Sequence, residues 1–189
     1  SLRDITSDFN VNKKNINVIN NGLDIDILIP YKEIKRNPTK LITIASADVA
    51  LKGLDYTLKS LASLVNDFPE ISLLVIGKMK KGGHTSRLID ELDIKDKVLF
   101  KTGLSKEEIA KEYASSSIAI VSSLYEGFGY PVIEAMSCEV PLIATNVSSI
   151  PELVDDYAKL ISAKNTNELS NAIRDILHDY PHYKNIAVR

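Results

Sequence analysis

The sequence predicts a doubly wound α/β domain built on a parallel β-sheet. The first observation is that its strand-length apolar runs, such as Leu41–Ala45 and Ile118–Val121, are not interrupted by alternating charged residues. Strands of this kind are buried on both faces, which is typical of a parallel sheet covered by helices on each side. The second observation is that these runs alternate, from residue 41 onward, with segments whose apolar residues recur at helical spacing.

Six strands and five helices are predicted, and they alternate except between the last two strands, where no helix is predicted. Strands are expected where short apolar runs occur, at 41–45, 71–76, 98–100, 118–121, 140–144 and 158–162. Helices are expected at 53–68, 86–92, 105–115, 131–138 and 168–178. This order places a helix on four of the five crossovers between parallel strands, which is typical of the fold class.

The helix boundaries have local signals of their own. The apolar residues that recur at helical spacing in the first helix are Leu54, Leu58, Leu61, Ala62 and Val65. Pro69 ends that helix in the prediction. Ser105 and Glu108 form a capping-box pattern at the start of the third helix, and Pro131 stands at the first position of the fourth.

Residues 1–40 do not follow this rhythm. They are rich in Asn, Asp and Lys, with one strand candidate at Ile16–Ile19 and a turn at Asn21–Gly22. The predicted organisation is a leading segment up to residue 40, a Rossmann-like domain over 41–180, and a truncated segment over 181–189. The chain begins with serine rather than methionine, and its first residues look like part of a helix, so we expect a fragment of a longer polypeptide.

Composition excludes several classes of function. The 189 residues carry 23 basic and 25 acidic side chains, a net charge of −2, which gives no broad electrostatic surface for nucleic acid. The single cysteine cannot form an internal disulfide, which fits a reducing compartment. No apolar run approaches the length that spans a bilayer, and no secretory segment is present at the start.

The loops that follow the strands are where an open α/β sheet binds its ligand. The loop after the first strand contains neither G-x-G-x-x-G nor G-x-x-x-x-G-K-[ST], which excludes the dinucleotide fingerprint and the P-loop. It ends in Lys52, next to the start of a helix, where the helix dipole disfavours a cation. Lys52 is therefore either a ligand to an anionic phosphate, shared with the helix end, or a solvated surface lysine.

The loop after the fourth strand is rich in features of a binding site. Two glycines flank Phe128, so the backbone can approach a ligand closely and present its amides at the start of a helix. Glu126 lies in this loop and Glu134 one turn into the helix, so both carboxylates can line one cleft. The alternative is that Glu134 only interacts with the helix dipole and Glu126 is a loop charge.

Other chemistry-bearing residues give no second site. His84 has no His or Cys at ligand spacing, so no metal site is predicted. Cys138 lies beside apolar residues, as buried free cysteines do. His178 and His182 are expected on the surface. The chain has no G-x-S-x-G motif, so a Ser-His-Asp arrangement is not supported.

The segment EGFGYPVIEAM, from Glu126 to Met136, resembles the glutamate–seven residues–glutamate motif of retaining family-four glycosyltransferases. These are the "glycosyl transferases group 1" enzymes of the GT-B fold. Further segments resemble that family in the same order and at similar intervals: Val18–Asp24, Lys52–Gly53, Leu74–Gly77, Thr102–Leu104, Pro141–Ala144 and Ile150–Leu153. The resemblance covers roughly residues 16–178.

The resemblance implies the C-terminal lobe of a two-lobed enzyme. In that family two Rossmann-like lobes face each other across a cleft, and the C-terminal lobe binds the nucleotide-diphosphate-sugar donor. The N-terminal lobe, which would bind a glycan or lipid acceptor, and the final helix that crosses back onto it are expected to be missing from this chain. The fragment alone is therefore expected to be inactive.

The resemblance also implies a role for each matching residue. Lys52 would contact the donor diphosphate, Glu126 would be the catalytic glutamate next to the transferred sugar, and Glu134 would hold the ribose hydroxyls. Amides that would hold sugar hydroxyls and phosphate oxygens lie around Phe128, Gly129, Tyr130 and Val132. The residues expected near the base are Gly103, Leu104 and the Gly77–Lys78 turn. Retention at the anomeric carbon without an obligatory metal or other cofactor follows from the same resemblance.

Three departures from the family pattern stand out. An arginine that often supplies a second phosphate cation is absent, because Ser46–Ala47 stands where the family has Gly-Arg, and Lys78 or Lys80 would have to replace it. Ser148–Ser149 replaces a usual Gly-Gly pair. Glu139 also stands where glycine is usual; this change and the Ser-Ser pair are expected to be tolerated.

Other functions on the same fold remain open at this stage. A nucleotide-sugar epimerase would release product without any acceptor, and a phosphorylase would need a pyridoxal phosphate lysine in an extended lobe that this sequence does not suggest. A non-catalytic nucleotide-sugar sensor would keep the cleft without turnover. The sequence does not distinguish UDP, GDP and ADP donors. By analogy the parent enzyme works in the cytoplasm or at the inner membrane face, with peripheral membrane association.

Overall fold

The computed structural model describes residues 2–9, 11–17, 19, 21–24 and 26–188. Within them a six-stranded, fully parallel sheet has the strand order β3-β2-β1-β4-β5-β6. The strands are β1 Lys40–Ile44, β2 Ser72–Ile76, β3 Val98–Lys101, β4 Ile118–Val121, β5 Leu142–Thr145 and β6 Ala158–Ile161. This is the doubly wound order of nucleotide-binding α/β folds, so the predicted fold class is confirmed.

Helices connect the strands on both faces of the sheet. They are α1 Leu2–Asp8, α2 Leu54–Leu64, α3 His84–Glu91, α4 Lys106–Ala114, α5 Tyr130–Ser137, α6 Ile150–Val154, α7 Thr166–His178 and α8 Tyr180–Ala187. The predicted capping box at α4 is present: Ser105 Oγ accepts from the Glu108 amide, and the Glu108 carboxylate accepts from the Ser105 amide. A short 3-10 turn, Ala50–Lys52, precedes α2.

Several boundaries differ from the prediction. Helix α2 ends at Leu64 rather than at Pro69, because Asn66 and Asp67 favour the turn that follows. Helix α7 begins earlier than predicted, at Thr166, because the Asn165 side chain caps it by accepting from the Glu168 amide. The helices α6 and α8 were not among the predicted elements.

The predicted features of the leading segment are not found in the structure. Ile16, Asn17 and Ile19 belong to no strand, and Val18 lies outside the described residues. No turn is formed at Asn21–Gly22; the turn occurs later, where the Leu28 amide donates to the Asp24 carbonyl at 3.1 Å. No described residue before Lys40 pairs with an edge strand of the sheet, β3 or β6.

The core consists of two layers that the strands divide between them. Leu41, Leu73 and Ile118 face one layer, which α2, α3 and α7 complete. Ile42, Leu74 and Ala119 face the other, which contains α4, α5 and α6. Adjacent strand residues thus point to opposite apolar layers, which explains why the first five strands carry no charged residue in their central positions. Lys159, in the middle of the half-buried edge strand β6, is the exception.

The segment before β1 packs at the amino edge of the sheet. Arg36 donates to the carbonyls of Ala114 and Glu139, at the carboxyl ends of α4 and α5, and to the Tyr180 hydroxyl. Cations are favourable at such helix ends. Arg36 therefore ties the leading segment and α8 to the edge opposite the predicted site.

Candidate functional site

The candidate site lies where the strand order reverses, between β1 and β4. Helical connections leave these neighbouring strands in opposite directions, which opens a crevice at their carboxyl ends. The loop over 45–53 follows β1, and the loop over 122–129 follows β4. These two loops carry Lys52 and Glu126, the residues that the sequence analysis selected.

The two loops are in direct contact through Gly53. Its φ is +63°, and a Cβ atom at this position would lie 1.9 Å from the Ser122 carbonyl oxygen, so no other residue fits without a backbone shift. The Leu124 amide donates to the Leu51 carbonyl at 2.8 Å, and the Thr57 and Ser122 hydroxyls are 2.9 Å apart. Close approach of the backbones brings the end of the loop over 45–53 to the start of the loop over 122–129.

Lys52 and Glu126 form an ion pair at this junction. Lys52 Nζ lies 2.7 Å from Glu126 Oε1, and the side chains are 32% and 9% exposed. Ser123 Oγ donates to the same carboxylate oxygen at 2.6 Å, and Thr145 Oγ1 donates to the Ser123 carbonyl at 2.6 Å. A nearly buried carboxylate is thus held in place by one cation and one hydroxyl.

Backbone amides at the start of α5 complete the site. Gly129, with φ +99°, precedes the helix, and no described atom accepts a hydrogen bond from the amides of Phe128, Gly129 or Tyr130. The Val132 amide, in contrast, donates to the Gly129 carbonyl at 2.9 Å, so the helix already uses it. Three amides without a described partner, in the loop whose Glu126 pairs with Lys52, are elements of an anion-binding site.

Glu134 lies half-buried on α5. The Tyr113 hydroxyl, 3.5 Å from Glu134 Oε2, is its hydrogen-bond partner, and no described contact joins Glu134 to Lys52 or Glu126. Burial raises the pKa of the Glu134 carboxyl above its ordinary value, and the Tyr113 hydrogen bond and the Lys106 charge oppose the rise only in part. The two signature glutamates therefore differ in environment.

The first half of the loop after β1 is anchored to α3. No described hydrogen bond joins it to the glycine loop, which is the loop over 122–129 that follows β4. Asp48 Oδ1 accepts from the Thr85 amide at 2.8 Å, and the Asp48 amide donates to Thr85 Oγ1 at 3.1 Å. Hydrogen bonding to Thr85 lowers the Asp48 pKa. The Ala47 amide donates to the Lys78 carbonyl at 3.3 Å, so the exposed Lys78 stands beside the position that lacks the arginine.

The residues predicted near the base lie further along the same edge. Gly103 and Leu104 follow β3, which is two strands away from β1. Gly103 is exposed with φ +73°, and Leu104 packs against the core layer that contains α4. No described hydrogen bond or ion pair joins either residue to the Lys52–Glu126 pair, so their place near the base stays a prediction.

Three residues that support the site were not selected from the sequence. Ser123 holds the Glu126 carboxylate, Tyr113 holds that of Glu134, and Ser149 Oγ lies 3.2 Å from the Glu126 carbonyl oxygen and 3.0 Å from that of Phe128. A buried tyrosine or serine hydroxyl needs a hydrogen-bond partner, so these residue types signal that a polar group lies nearby. The sequence does not identify that group.

The remaining His, Cys, Asp and Glu side chains are the other candidates for metal ligands, and Cys138 is the candidate for a reactive thiol. Among the described residues, no three His, Cys, Asp or Glu side chains are grouped so that they could hold a metal ion. Burial raises the pKa of the Cys138 thiol to about 12, which makes it unreactive. His84 Nε2 lies 2.6 Å from Asp55 at the exposed start of α2. No helix in the described residues has the length and apolar character to cross a membrane.

The family model described as Glycosyl transferases group 1 matches residues 28–188. The chain is 36% identical over 180 residues to the MMP alpha-(1->4)-mannosyltransferase of Mycolicibacterium hassiacum. That alignment covers 94% of this chain but 43% of the relative, so the chain spans less than half the length of this curated protein.

Solved structures show the same fold. The C-terminal domain of a glycosyl transferase group 1 family protein (LpcC) from Francisella tularensis is similar with TM-score 0.74 and 21% identity, covering 88% of this chain and 93% of that one. A S. aureus TarM variant in complex with Fondaparinux, alpha-GlcNAc-glycerol and UDP is similar with TM-score 0.83 and 20% identity. The second comparison covers 98% of this chain and 37% of TarM.

Proposed function

The chain belongs to the glycosyl transferases group 1 family, and on that premise we propose that it binds the nucleotide-diphosphate-sugar donor. The observation that carries the proposal is the Lys52–Glu126 pair, which lies at the sheet's switch point beside three unbonded amides of the glycine loop. A diphosphate fits this arrangement, because helix-end amides and an ammonium group both favour negative charge. TarM, which shares the fold, was solved with UDP bound.

In this proposal the charged residues divide the donor between them. Lys52 Nζ would bind the diphosphate together with the amides of Phe128, Gly129 and Tyr130. Glu126 would face the sugar, where positive charge develops on the anomeric carbon as the diphosphate leaves. Glu134, one turn further along α5, would accept hydrogen bonds from the ribose hydroxyls. Gly103 and Leu104 would lie near the base.

The reaction proposed for the parent enzyme is transfer of a hexose to a glycan or lipid acceptor. Mannose is the first sugar to test, because the relative that is 36% identical is named a mannosyltransferase. We also propose retention at the anomeric carbon and independence of an obligatory metal. These two features rest on the resemblance of Glu126–Glu134 to the family motif and on Lys52 and the amides as the positive partners of the diphosphate.

The proposal is tested by calorimetric titration of this chain with UDP, GDP and ADP, and with the matching nucleosides. We expect one nucleoside diphosphate to bind and Lys52→Ala to weaken that binding by about 10- to 150-fold, the value of a charge-assisted contact of ~1.5–3 kcal/mol. Nucleoside binding should change much less, because it lacks the phosphates.

Lys59→Ala is the matched control, since Lys59 is an exposed lysine on the neighbouring helix α2 and should leave the affinity unchanged. A Lys52→Ala variant that binds within about twofold of wild type would make Lys52 a surface lysine only. Failure of all three nucleoside diphosphates to bind wild type would refute the donor-binding proposal itself.

A further inference from the structure

Ser149 uses its hydroxyl in an unusual way for its position. It immediately precedes α6, where a serine side chain commonly accepts a hydrogen bond from an amide of the first turn. Here it makes no such cap. Its Oγ lies 3.2 Å from the Glu126 carbonyl oxygen and 3.0 Å from the Phe128 carbonyl oxygen instead. Because carbonyls only accept, the Ser149 hydroxyl donates to the glycine loop.

The glycine loop has little else to hold its backbone there. In the described part of the chain, no backbone–backbone hydrogen bond involves residues 125–128. Gly127 has no atom within 4 Å of where a Cβ would lie. The nearest backbone hydrogen bond before this stretch runs from the Leu124 amide to the Leu51 carbonyl. The nearest one after it runs from the Val132 amide to the Gly129 carbonyl. Ser149 lies between these hydrogen bonds and contacts the loop on both sides of Gly127.

Helix α6 supports the same loop through a second contact. A Cβ atom at Gly129 would lie 3.0 Å from Leu153 Cδ1, so this helix is packed tightly against the start of α5. Ser149 restrains the polar backbone and Leu153 occupies the space behind it. The two contacts come from one short element, which makes α6 the backing of the loop.

We propose that Ser149 is a positioning residue for the donor: its hydroxyl holds the loop backbone so that the Glu126 carboxylate and the Phe128 and Gly129 amides point into the cleft. The inference rests on the proposed function. It acts through the loop, because Ser149 donates to two backbone carbonyls that flank Gly127 and to no other described group. The hydroxyl, and not the size of the side chain, is the required feature.

The test uses this chain and titrates it with UDP, GDP and ADP and with the matching nucleosides. Ser149→Ala should lower the affinity for the nucleoside diphosphate by about three- to tenfold, the value of one neutral hydrogen bond. The loss should be absent for the nucleoside, because the displaced amides face the phosphates. A purely structural role would lower the melting temperature without this difference between ligands.

A pair of variants with the same shape isolates the hydroxyl. Ser149→Thr should bind the nucleoside diphosphate within about twofold of wild type. Ser149→Val has a methyl group where the threonine variant has its hydroxyl, and it should bind as weakly as Ser149→Ala. Ser148→Ala is the neighbouring control and should bind like wild type, since Ser148 is exposed. If Ser149→Ala does not fold, the comparison of Ser149→Thr with Ser149→Val replaces it as the test.

The outcomes separate the two proposals. Equal affinities of Ser149→Thr and Ser149→Val, in a chain whose wild type binds a nucleoside diphosphate, would overturn the role of Ser149 and leave the donor site intact. Wild type that binds none of UDP, GDP and ADP would overturn the donor site, and the inference with it.

Discussion

Without a ligand, Lys52 and Glu126 pair with each other. Each is the other's ion-pair partner at 2.7 Å, and Glu126 is nearly buried. A bound diphosphate would compete with Glu126 for Lys52, so the lower end of the loss expected for Lys52→Ala, about 10-fold, applies where Lys52 gives up its pair with Glu126. Ser123 donates to the same carboxylate at 2.6 Å, so we expect it to keep Glu126 in place if Lys52 turns towards a bound phosphate.

The two glutamates should separate in kinetic measurements on the full-length parent enzyme. Glu126→Gln should lower kcat by about 100-fold or more, because the carboxylate stabilises charge that develops only in the transition state. Glu134→Ala should mainly raise the donor KM, because ribose contacts are present in the ground and transition states alike. Glu91→Gln is the control and should change neither quantity, since Glu91 is exposed at the end of α3 and belongs to neither loop of the site.

A normal kcat with lost donor affinity in Glu126→Gln would leave Glu126 a binding residue. Donor affinity is measured separately from kcat for this reason. Gln keeps the shape of the side chain and much of its hydrogen bonding, so little change in binding is expected from the substitution itself.

The environment of Glu134 predicts a pH-dependent cost in stability. Burial raises its pKa in the folded chain, so the folded state binds the proton more tightly than the unfolded state. The free energy of unfolding therefore falls as pH rises from the ordinary glutamate value of 4.5 through the raised pKa. Glu134→Gln should melt a few degrees higher than wild type at pH 7, and the difference should vanish as pH falls below 4.5.

Tyr113→Phe is the converse variant. It removes the hydroxyl that stabilises the charged carboxylate, so it should lower the melting temperature at pH 7 and raise the Glu134 pKa further. Melting curves measured between pH 4 and pH 8 check both variants. If the difference in melting temperature between Glu134→Gln and wild type does not change with pH, the raised pKa of Glu134 is not the cause of that difference.

At the scale of elements, the junction of the β1 and β4 loops determines the geometry of the site. Gly53 combines a left-handed φ of +63° with a contact that leaves no room for a Cβ atom. Gly53→Ala should reduce the free energy of unfolding by about 3 kcal/mol, because the Ser122 backbone must move as well. Donor binding should be lost even where the chain still folds, since Lys52 moves with its neighbour.

Gly82→Ala is the control for backbone strain alone. Its φ is +70°, but nothing lies within 4 Å of the added Cβ. The substitution should cost about 1 kcal/mol, the price of a left-handed conformation in an L-residue. Chemical denaturation of both variants measures the difference, and similar losses in the two would show that the contact with Ser122 is unimportant.

At the scale of the whole molecule, we expect the chain to form one wall of a donor-binding cleft. Its elements supply the phosphate, sugar and ribose contacts proposed above, and the chain spans 43% of the length of its mannosyltransferase relative. We expect this chain alone to bind a nucleoside diphosphate weakly and to transfer no sugar, because acceptor contacts would come from residues outside it. A radiolabelled donor incubated with acceptor glycans measures this, and transfer by the chain alone would show that no second lobe is needed.

The sequence determined the features that local pattern can encode. Uniformly apolar runs such as Ile118–Val121 identify strands buried on both faces, and Ser105 with Glu108 identifies the start of α4. The family resemblance also came from contiguous residues, above all Glu126–Met136. Each of these signals lies within one element, where periodicity and capping act between near neighbours.

Only the tertiary structure decided which of these residues meet. Lys52 and Glu126 are separated by 74 positions, and Ser149 reaches Glu126 from 23 positions away. Their contacts depend on the order of the strands and on the close approach that Gly53 allows. Hydrogen bonds and ion pairs act over a few ångströms, whereas the sequence records only distance along the chain, so the partners of Glu126 and Glu134 became visible once the loops were brought to one edge of the sheet.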